Sequence, residues 1–348
     1  MAAPGLDDPV EEVLDRYRTR TMATLLAHLP TGGPRYLYDL VADYPRRSGK
    51  GLRAALCLAA CRLAGDGAEV DEAAVNVATT VELFHNAFLI HDDIQDGSEQ
   101  RRGTPTLSAE HGVGVALNVG NMTNLLALDR LMANRDGLGS GTAWQLVEES
   151  RLMLRHSLEG QAIEIGWIRD NACDLTPDDY YRMCLKKTSW YTCIYPCRTG
   201  ILAAGDGRLR RDRLDRYGWY LGAAFQITDD VLNLVGEYAA YGKEIAGDLW
   251  EGKRTLILID FLGRCTTGER ARTVAFLGTP RADRAATDVR WLHRRLMAYD
   301  SVEVARRSAH ELADAALAEG QAALGDRAGT EDGRFLLGLT RYVVDRPR

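Results

Sequence analysis

The sequence of 348 residues predicts an all-α fold, built as a single large helical bundle. Apolar residues recur at i, i+3 and i+4 through six long segments, whereas the alternating pattern of a strand persists nowhere. Alanine, leucine, glutamate and arginine, which favour helices, are abundant. No stretch of disordered composition separates two halves, so we expect one domain over residues 1–348, with loose termini. The six segments are 52–65, 75–91, 112–133, 143–166, 179–204 and 211–235.

Clusters of glycine, proline and polar residues punctuate these segments and predict the loops between helices. We expect loops at 65–69, 134–141, 205–208 and 277–283. The first segment opens with SGKGLRAAL, the second continues to IHDDIQD at residue 96, and the last contains TDDVLN. Charged residues therefore gather at the ends of helices.

Composition and charge exclude several classes of protein. The chain is 46% hydrophobic and 26% charged with a net charge of −6, which is typical of a soluble globular protein and provides no basic face for nucleic acid. No apolar run approaches the roughly 18 residues of a membrane span. The acidic N-terminus lacks a signal core, so we expect a cytoplasmic protein. Seven scattered cysteines, an odd number, indicate buried thiols rather than a disulfide framework.

The stretch IHDDIQD places three aspartates near the end of one predicted helix. Asp92 and Asp96 are one turn apart on the same face, and Asp93 lies beside them. Their like charges repel, unless a hard cation such as Mg²⁺ binds them together with waters and phosphate oxygens. An isolated cluster of this kind is also compatible with an ordinary solvated helix end.

A second cluster makes the solvated helix end the weaker interpretation. Asp229 and Asp230 are adjacent, and Asn233 follows Asp229 by one turn, again after an apolar helical stretch. Two such helix ends predict two carboxylate walls facing one central cavity, a geometry that can hold metal ions across a diphosphate. Basic residues beside glycines or acidic clusters suggest anion binding at the same place. They are Lys50, Arg53, Arg101, Arg102, Lys187, Lys243 and Lys253.

These residues resemble the trans-isoprenyl diphosphate synthases, the polyprenyl synthetase family, from about residue 45 to 260. The first aspartate-rich motif of that family, followed by Arg-Arg-Gly, is similar to Asp92, Asp93, Asp96, Arg101, Arg102 and Gly103. The second motif is similar to Asp229, Asp230 and Asn233. The smaller family elements resemble Gly49, Lys50 and Arg53, then His85, Lys187-Thr188, Phe225-Gln226, Lys243 and Lys253. The run 159–189 is most similar to short-chain members, notably geranylgeranyl diphosphate synthases.

The resemblance implies an all-α bundle of isoprenoid synthase type around a central cavity, and a Mg²⁺-dependent head-to-tail condensation of isopentenyl diphosphate with an allylic diphosphate. About three Mg²⁺ ions, for which Mn²⁺ is a possible substitute, would be held by the two acidic motifs. The resemblance assigns catalysis to the motif aspartates with Lys187 and Lys243. It assigns the metal ions to Asp92, Asp93, Asp96, Asp229, Asp230 and Asn233. It assigns substrate binding to Lys50, Arg53, His85, Arg101, Arg102, Thr188, Gln226 and Lys253.

The length of the product would depend on what closes the cavity below the first motif. Phe88 and Phe84 lie one and two turns before Asp92 on the same face, with the small Ala87 beside them. Met122 and Leu125 on the next helix are further candidates for this floor. Ordinary core packing explains the same pattern. We expect geranylgeranyl diphosphate (C20) as the product, with farnesyl diphosphate (C15) as the second choice.

The sequence departs from the family pattern at four positions, namely Ser48, Ala54, Asn233 and Ile257. Ser48, Ala54 and Asn233 leave open a terpene cyclase of the same fold, which would need no second substrate. A non-catalytic partner subunit is a weaker alternative, since both acidic motifs remain. A metal phosphohydrolase would need histidine ligands that His111 and His156 do not convincingly provide. By resemblance we also expect a homodimer; the pathway and the preferred allylic primer stay open.

Overall fold

A computed structural model describes residues 8–47, 49–67, 71–205, 209–235 and 246–345. Helices fill most of these ranges, as the apolar periodicity predicts. Residues 1–7 and 346–348 of the termini and the candidate residue Lys243 lie outside the described residues, as do parts of the predicted loops at 65–69 and 205–208. Val343, in the C-terminal segment that was expected to be loose, is buried. The first helices are α1 (Asp8–Ala27), α2 (Arg35–Tyr38), α3 (Asp43–Arg46), α4 (Leu52–Ala64), α5 (Glu72–Asp96), α6 (Leu107–His111), α7 (Val113–Arg169), α8 (Pro177–Cys184) and α9 (Tyr195–Ala203).

The second half of the chain continues the bundle. A π-helical segment, Leu185–Ile194, joins α8 to α9, and a hairpin of two-residue strands, β1 (Gln100–Arg101) and β2 (Thr104–Pro105), follows α5. The apolar periodicity does not predict that hairpin. The later helices are α10 (Arg211–Val235), α11 (Gly247–Glu251), α12 (Leu256–Arg264), α13 (Thr267–Leu277), α14 (Ala286–Ala298), α15 (Ser301–Leu324) and α16 (Glu331–Tyr342), with 3₁₀ turns at Arg281–Asp283 and Gly325–Gly329.

The long helices pack around a central cavity. Helix α5 packs against α7, α10 packs against α15 and the π segment, and α4 packs against α9. Helix α5 has the length and apolar content of a membrane span, but 83% of its most apolar window is buried inside the bundle. It is therefore a core helix of the bundle.

Helix α7 differs from the sequence prediction at 134–141, where a loop was expected. The helix continues through this region, and Gly139, with φ 79° and ψ 159°, interrupts it. A single glycine can adopt this positive φ without steric cost, so a kink replaces the loop. The prediction at 277–283 is confirmed, because α13 ends at Leu277 and α14 begins only at Ala286.

Two glycines bring the π segment into the wall of the cavity. A Cβ at Gly160 of α7 would lie 2.2 Å from the backbone nitrogen of Lys187, and one at Gly222 of α10 would lie 2.5 Å from the Cα of Ser189. Only a residue without a side chain permits these approaches. The π segment therefore lies tightly between α7 and α10, and it presents Lys187, Thr188 and Tyr191 to the cavity.

Candidate active site

The ends of α5 and α10 face one cavity of about 1320 Å³. Asp92 lines it from the last turn of α5, and Asp229 and Asp230 line it from α10. Negative side chains near the C-terminal end of a helix are unfavourable, because the helix dipole is negative there. Both walls therefore need compensating positive charge, which protein side chains or bound cations can supply.

The three aspartates of the first wall, Asp92, Asp93 and Asp96, have different partners. Asp92 is within 3.6 Å of Lys187 Nζ and within 3.8 Å of Arg101, and its Oδ1 accepts from Gln161 at 3.4 Å. Asp96 Oδ2 accepts from Lys253 Nζ at 2.7 Å. Asp93, only 1% exposed, is not on the cavity wall.

Asp93 is bound by the protein itself. Its carboxylate accepts from the Tyr44 hydroxyl and from Arg101, whose Nε lies 2.9 Å from Oδ1. This geometry revises the metal-ligand prediction for Asp93, because its oxygens are used inside the protein. Arg101, in turn, is held by Asp93 as well as facing the cavity. Asp92 is therefore the aspartate of this wall that lines the cavity, while Asp96 pairs with Lys253, which also lines it.

The hairpin after α5 explains the Arg-Arg-Gly sequence. Arg102 and Gly103, the two residues between its strands, both have positive φ, 55° and 76°. A tight two-residue turn of this kind requires positive φ at both central positions, and glycine adopts it most easily. The turn directs Arg101 to Asp93 and leaves Arg102 on the cavity wall.

The second wall is held by neutral groups. The Tyr180 hydroxyl donates to Asp230 Oδ2 at 2.6 Å, and Gln226 Nε2 donates to Oδ1 at 2.8 Å. The Thr188 hydroxyl donates in turn to Gln226 Oε1 at 2.7 Å. Burial raises the pKa of Asp230 to about 7, because its charged form is taken out of water. Asp229 beside it lines the cavity.

Asn233 is not on the cavity wall. It is 3% exposed, and its Oδ1 accepts the backbone N–H of Asp248 at 3.0 Å. The amide therefore binds the start of α11, and this geometry revises its predicted role as a direct metal ligand. Asp248, which the motif analysis did not assign, lines the cavity instead.

Two lysines of the cavity wall pair with aspartates of the first wall. Lys187 contacts Glu164 and Asp92; burial works against its charge, but these carboxylates raise the pKa of Lys187. Lys253 contacts Asp96 and Glu251, each at 2.7 Å. Burial works against its charge, but these carboxylates raise the pKa of Lys253 well above its usual value. Both side chains are therefore protonated at neutral pH and can bind a diphosphate.

A second group of cations lines another part of the wall. Arg53 donates to Tyr191 at 3.0 Å and to Thr192 at 2.9 Å, and its Nη1 lies 3.2 Å from His85 Nε2. Burial and the charge of Arg53 lower the pKa of His85 well below its usual value, so the imidazole is neutral and accepts from Arg53. Lys50 lies 5.1 Å from the ring centroid of Tyr342.

Gly49 permits the approach of Arg102 to this second group. A Cβ at Gly49 would lie 2.7 Å from Arg102 Nη2, so a side chain there would displace the guanidinium. Burial and the neighbouring Arg101 lower the pKa of Arg102, which is the expected result of gathering cations without enough counter-charge. An anion would relieve this repulsion. The second group therefore has the chemistry of a diphosphate site.

The three floor candidates on α5 lie in different places. Phe88 lines the cavity and meets the Tyr191 ring edge-on, with centroids 5.2 Å apart. Phe84 is 1% exposed and packs against Tyr195, while Ala87 is buried; neither is on the cavity wall. Of the candidates on α7, Leu125 is exposed and Met122 is half-buried, again off the wall. The floor prediction therefore rests on Phe88.

The donor set fits a hard divalent cation. In the part of the chain that the structure describes, no group of three or more His, Cys, Asp or Glu side chains is arranged to hold a metal alone. Mg²⁺ does not need such a cage, because it keeps several waters and binds through one or two carboxylates plus substrate phosphates. Carboxylates on two walls of one cavity, with lysines between them, meet that requirement.

Motif reading missed several residues that shape the site. Glu164 pairs with Lys187, Tyr180 donates to Asp230, and Tyr191 accepts from Arg53. These residues belong to helices remote in sequence from the charges they contact. Of these residues, Glu164 alone has a recognisable sequence pattern, because it is an acidic residue on an otherwise apolar helix face.

Comparisons with known proteins agree with this geometry. The family described as polyprenyl synthetase matches residues 34–294. A geranylgeranyl diphosphate synthase of Mycobacterium tuberculosis is 34% identical over 86% of this chain and 80% of its own length. One of Saccharolobus solfataricus is 31% identical over 72% and 75%. An octaprenyl diphosphate synthase of Escherichia coli is 31% identical over 86% and 87%.

Solved structures share the fold over nearly the whole chain. A polyprenyl synthase of Caulobacter crescentus, complexed with calcium and isoprenyl diphosphate, has a TM-score of 0.86 at 24% identity and covers 100% of both chains. A geranylgeranyl pyrophosphate synthase of Corynebacterium glutamicum, complexed with isoprenyl diphosphate and magnesium, has a TM-score of 0.81 at 26% identity and covers 99% of this chain and 100% of its own. The chain therefore belongs to the polyprenyl synthetase family and is a prenyltransferase.

Proposed function

We propose that this polyprenyl diphosphate synthase condenses isopentenyl diphosphate head-to-tail with an allylic diphosphate. One observation carries the proposal: a single cavity contains two separate cationic groups. Lys187 and Lys253 pair with Asp92 and Asp96 of the first wall. Lys50, Arg53 and Arg102 line the same cavity, with Arg53 beside His85 and Arg102 against Gly49. Two diphosphates need two such sites, while a cyclase would need only the first.

At the first site, the chain binds and orients the allylic diphosphate. Asp92, Asp96 and Asp229 would hold Mg²⁺, which when bound neutralises charge on the diphosphate oxygens. Lys187 and Lys253 remain protonated and donate to the same oxygens as the allylic C–O bond breaks. The apolar part of the wall around Phe88 excludes water from the allylic carbon.

At the second site, Lys50, Arg53 and Arg102 bind the diphosphate of isopentenyl diphosphate and hold its double bond towards the allylic carbon. His85 is neutral and already accepts from Arg53, so it adds a hydrogen-bonding group without further positive charge. The departing pyrophosphate takes the proton that the new product loses. This scheme requires no nucleophile from the protein.

Product analysis tests the reaction directly. The purified enzyme is incubated with Mg²⁺ and primers of five, ten or fifteen carbons, with and without isopentenyl diphosphate. Longer prenyl diphosphates are expected only when both substrates are present. Hydrocarbon released from a primer alone would establish a cyclase and refute condensation.

We further propose that the product is geranylgeranyl diphosphate and that Phe88 sets its length. Phe88 packs against Tyr191, and both residues border the same apolar cluster as Met22 and Leu154, which also line the cavity. Phe88→Ala should lengthen the product by about one isoprene unit, because removing the ring extends the cavity. Phe84→Ala is the matched control: it removes the same ring from a site off the wall, and should lower stability without lengthening the product. An unchanged product from Phe88→Ala would remove Phe88 from the floor.

We also propose that two copies of the chain associate through α7. Among the described residues, α7 carries eight of the eleven exposed large hydrophobic side chains. Leu117 and Leu158 line the cavity, whereas Met132 at 67% and Trp144 at 65% are exposed outside it. Exposed apolar side chains concentrated on one helix are typical of an interface. Sedimentation should give a dimer, and Met132→Lys combined with Leu128→Lys should shift it towards monomer. A monomeric native protein would contradict this proposal.

A further inference from the structure

Asn233 fixes the start of α11 through two hydrogen bonds. Its Oδ1 accepts the backbone N–H of Asp248 at 3.0 Å, and its own backbone carbonyl accepts from Ala246 at 2.8 Å. Ala246 has a φ of 59°, a left-handed conformation that is unfavourable for a residue with a Cβ. The position that would carry the third carboxylate of the second motif therefore holds a strained segment in place.

The residue placed by this arrangement is Asp248. It is 9% exposed and lines the cavity, as Asp229 and Asp230 do. Its Oδ1 lies 3.9 Å from Lys253 Nζ, and the same ammonium lies 2.7 Å from Asp96 Oδ2. Asp248 is therefore close to the first wall as well as attached to the second.

We propose that Asp248 is the third carboxylate of the second wall, directed at a divalent cation, and that Asn233 is its positioning residue. The proposal rests on the metal use included in the proposed function. A neutral amide at position 233 fixes the Asp248 backbone without adding a further buried negative charge beside Asp230. Groups that orient a metal-binding carboxylate commonly change metal affinity by about 10–100-fold when removed.

A competing explanation is that Asp248 serves only as a counter-charge for Lys253. Glu251 allows the two roles to be separated. It lies on the same helix and its carboxylate is nearer to Lys253 Nζ, 2.7 Å against 3.9 Å, but it is not on the cavity wall. Loss of a counter-charge should therefore matter more at Glu251, and loss of a metal-directed group more at Asp248.

The test is calorimetric titration of Mg²⁺ into the full-length protein with inorganic pyrophosphate present. Asp248→Asn should weaken Mg²⁺ binding by about 10–100-fold, whereas Glu251→Gln should stay within about twofold of the native protein. Equal affinities for Asp248→Asn and the native protein would overturn the proposal, as would an equal loss in Glu251→Gln. If the native protein bound no Mg²⁺ with pyrophosphate, the proposed metal use itself would fail, which is a different result.

Two variants of Asn233 test the positioning role with the same titration. Asn233→Ala removes the acceptor of the Asp248 N–H and should weaken Mg²⁺ binding by about tenfold or more. Asn233→Asp retains an acceptor oxygen and should recover most of that affinity. Native Mg²⁺ affinity in folded Asn233→Ala would refute the role of Asn233. If that variant does not fold, Asp248→Asn still decides the main proposal.

Discussion

The two acidic walls look alike in sequence but are held in physically different ways. In each wall one aspartate is tied down by protein groups while another faces the cavity. In the first wall the buried Asp93 is paired with a permanent cation, Arg101. In the second wall the donors to the buried Asp230, among the residues that the structure describes, are the neutral Tyr180 and Gln226. Equivalent motif positions thus have unequal charge compensation.

The difference decides what each wall requires from its surroundings. Arg101 compensates Asp93 within the protein, so removing either partner leaves a buried charge alone. Burial instead raises the pKa of Asp230 to about 7, since hydrogen bonds from neutral donors do not fully replace water. The second wall is therefore the one that depends more on added cations.

The largest loss of activity is expected at the carboxylates that line the cavity, which both walls have in common. Asp92→Asn and Asp229→Asn should each lower kcat at least about 100-fold, because each removes charge that stabilises the departing diphosphate through the metal. Rates are measured at saturating Mg²⁺ with both substrates. Asp260→Asn is the control, since Asp260 pairs with Arg264 on α12 away from the cavity. Near-native activity in either variant would mean that its wall does not serve the reaction.

The next largest effect is a loss of stability in the first wall when Arg101 is replaced. Arg101→Gln should lower the free energy of unfolding by about 3–5 kcal/mol, because Asp93 is left buried without its partner. Arg102→Gln is the adjacent control. Burial and Arg101 lower the pKa of Arg102, so its charge is already unfavourably placed and the loss should be below about 1 kcal/mol. Urea unfolding with EDTA present measures both; equal losses would remove the special role of Arg101.

A smaller effect is expected at the second wall. Tyr180→Phe removes one neutral donor from Asp230 and should cost about 1–3 kcal/mol of stability, less than Arg101→Gln. Tyr181→Phe, at the neighbouring position, should change stability by less than about 0.5 kcal/mol. The same urea titrations compare them. A loss from Tyr180→Phe as large as that from Arg101→Gln would contradict the contrast between the walls.

Sequence patterns predicted the helices and the cavity-facing charges well, since both depend on local spacing. The apolar periodicity is satisfied in α5 and α10, and Asp92 and Asp96 lie one turn apart near the end of α5. Local spacing does not predict which residue of each motif is bound by protein groups and which one lines the cavity. That difference depends on Tyr44, Tyr180 and Asp248, which come from other helices and carry no local pattern.

The same limit explains the differences in fold. Gly139 interrupts α7 where a loop was expected, because the helix on either side is stabilised by packing rather than by the local sequence. Phe84 and Phe88 share a helix face, but only Phe88 lines the cavity, since Tyr195 covers Phe84. The spacing of residues in the sequence determines which side chains share a helix face. Which residues pack over that face depends on the tertiary structure.

The smallest effect tests how far the neutral network of the second wall extends. Thr188 does not contact Asp230; it donates to Gln226, which donates to Asp230. Thr188→Val removes that outer donor and leaves Gln226 Oε1 with one bond fewer, so the loss should be about 0.5–1.5 kcal/mol, below that of Tyr180→Phe. Thr228→Val is the control, because the Thr228 hydroxyl donates to the Ala224 carbonyl of its own helix. Because Thr188 is also a proposed substrate contact, urea unfolding rather than activity is the measurement. If Thr188→Val cost as much as Tyr180→Phe, the hydrogen bonds would act as one cooperative unit, and the second wall would be as firmly held as the first.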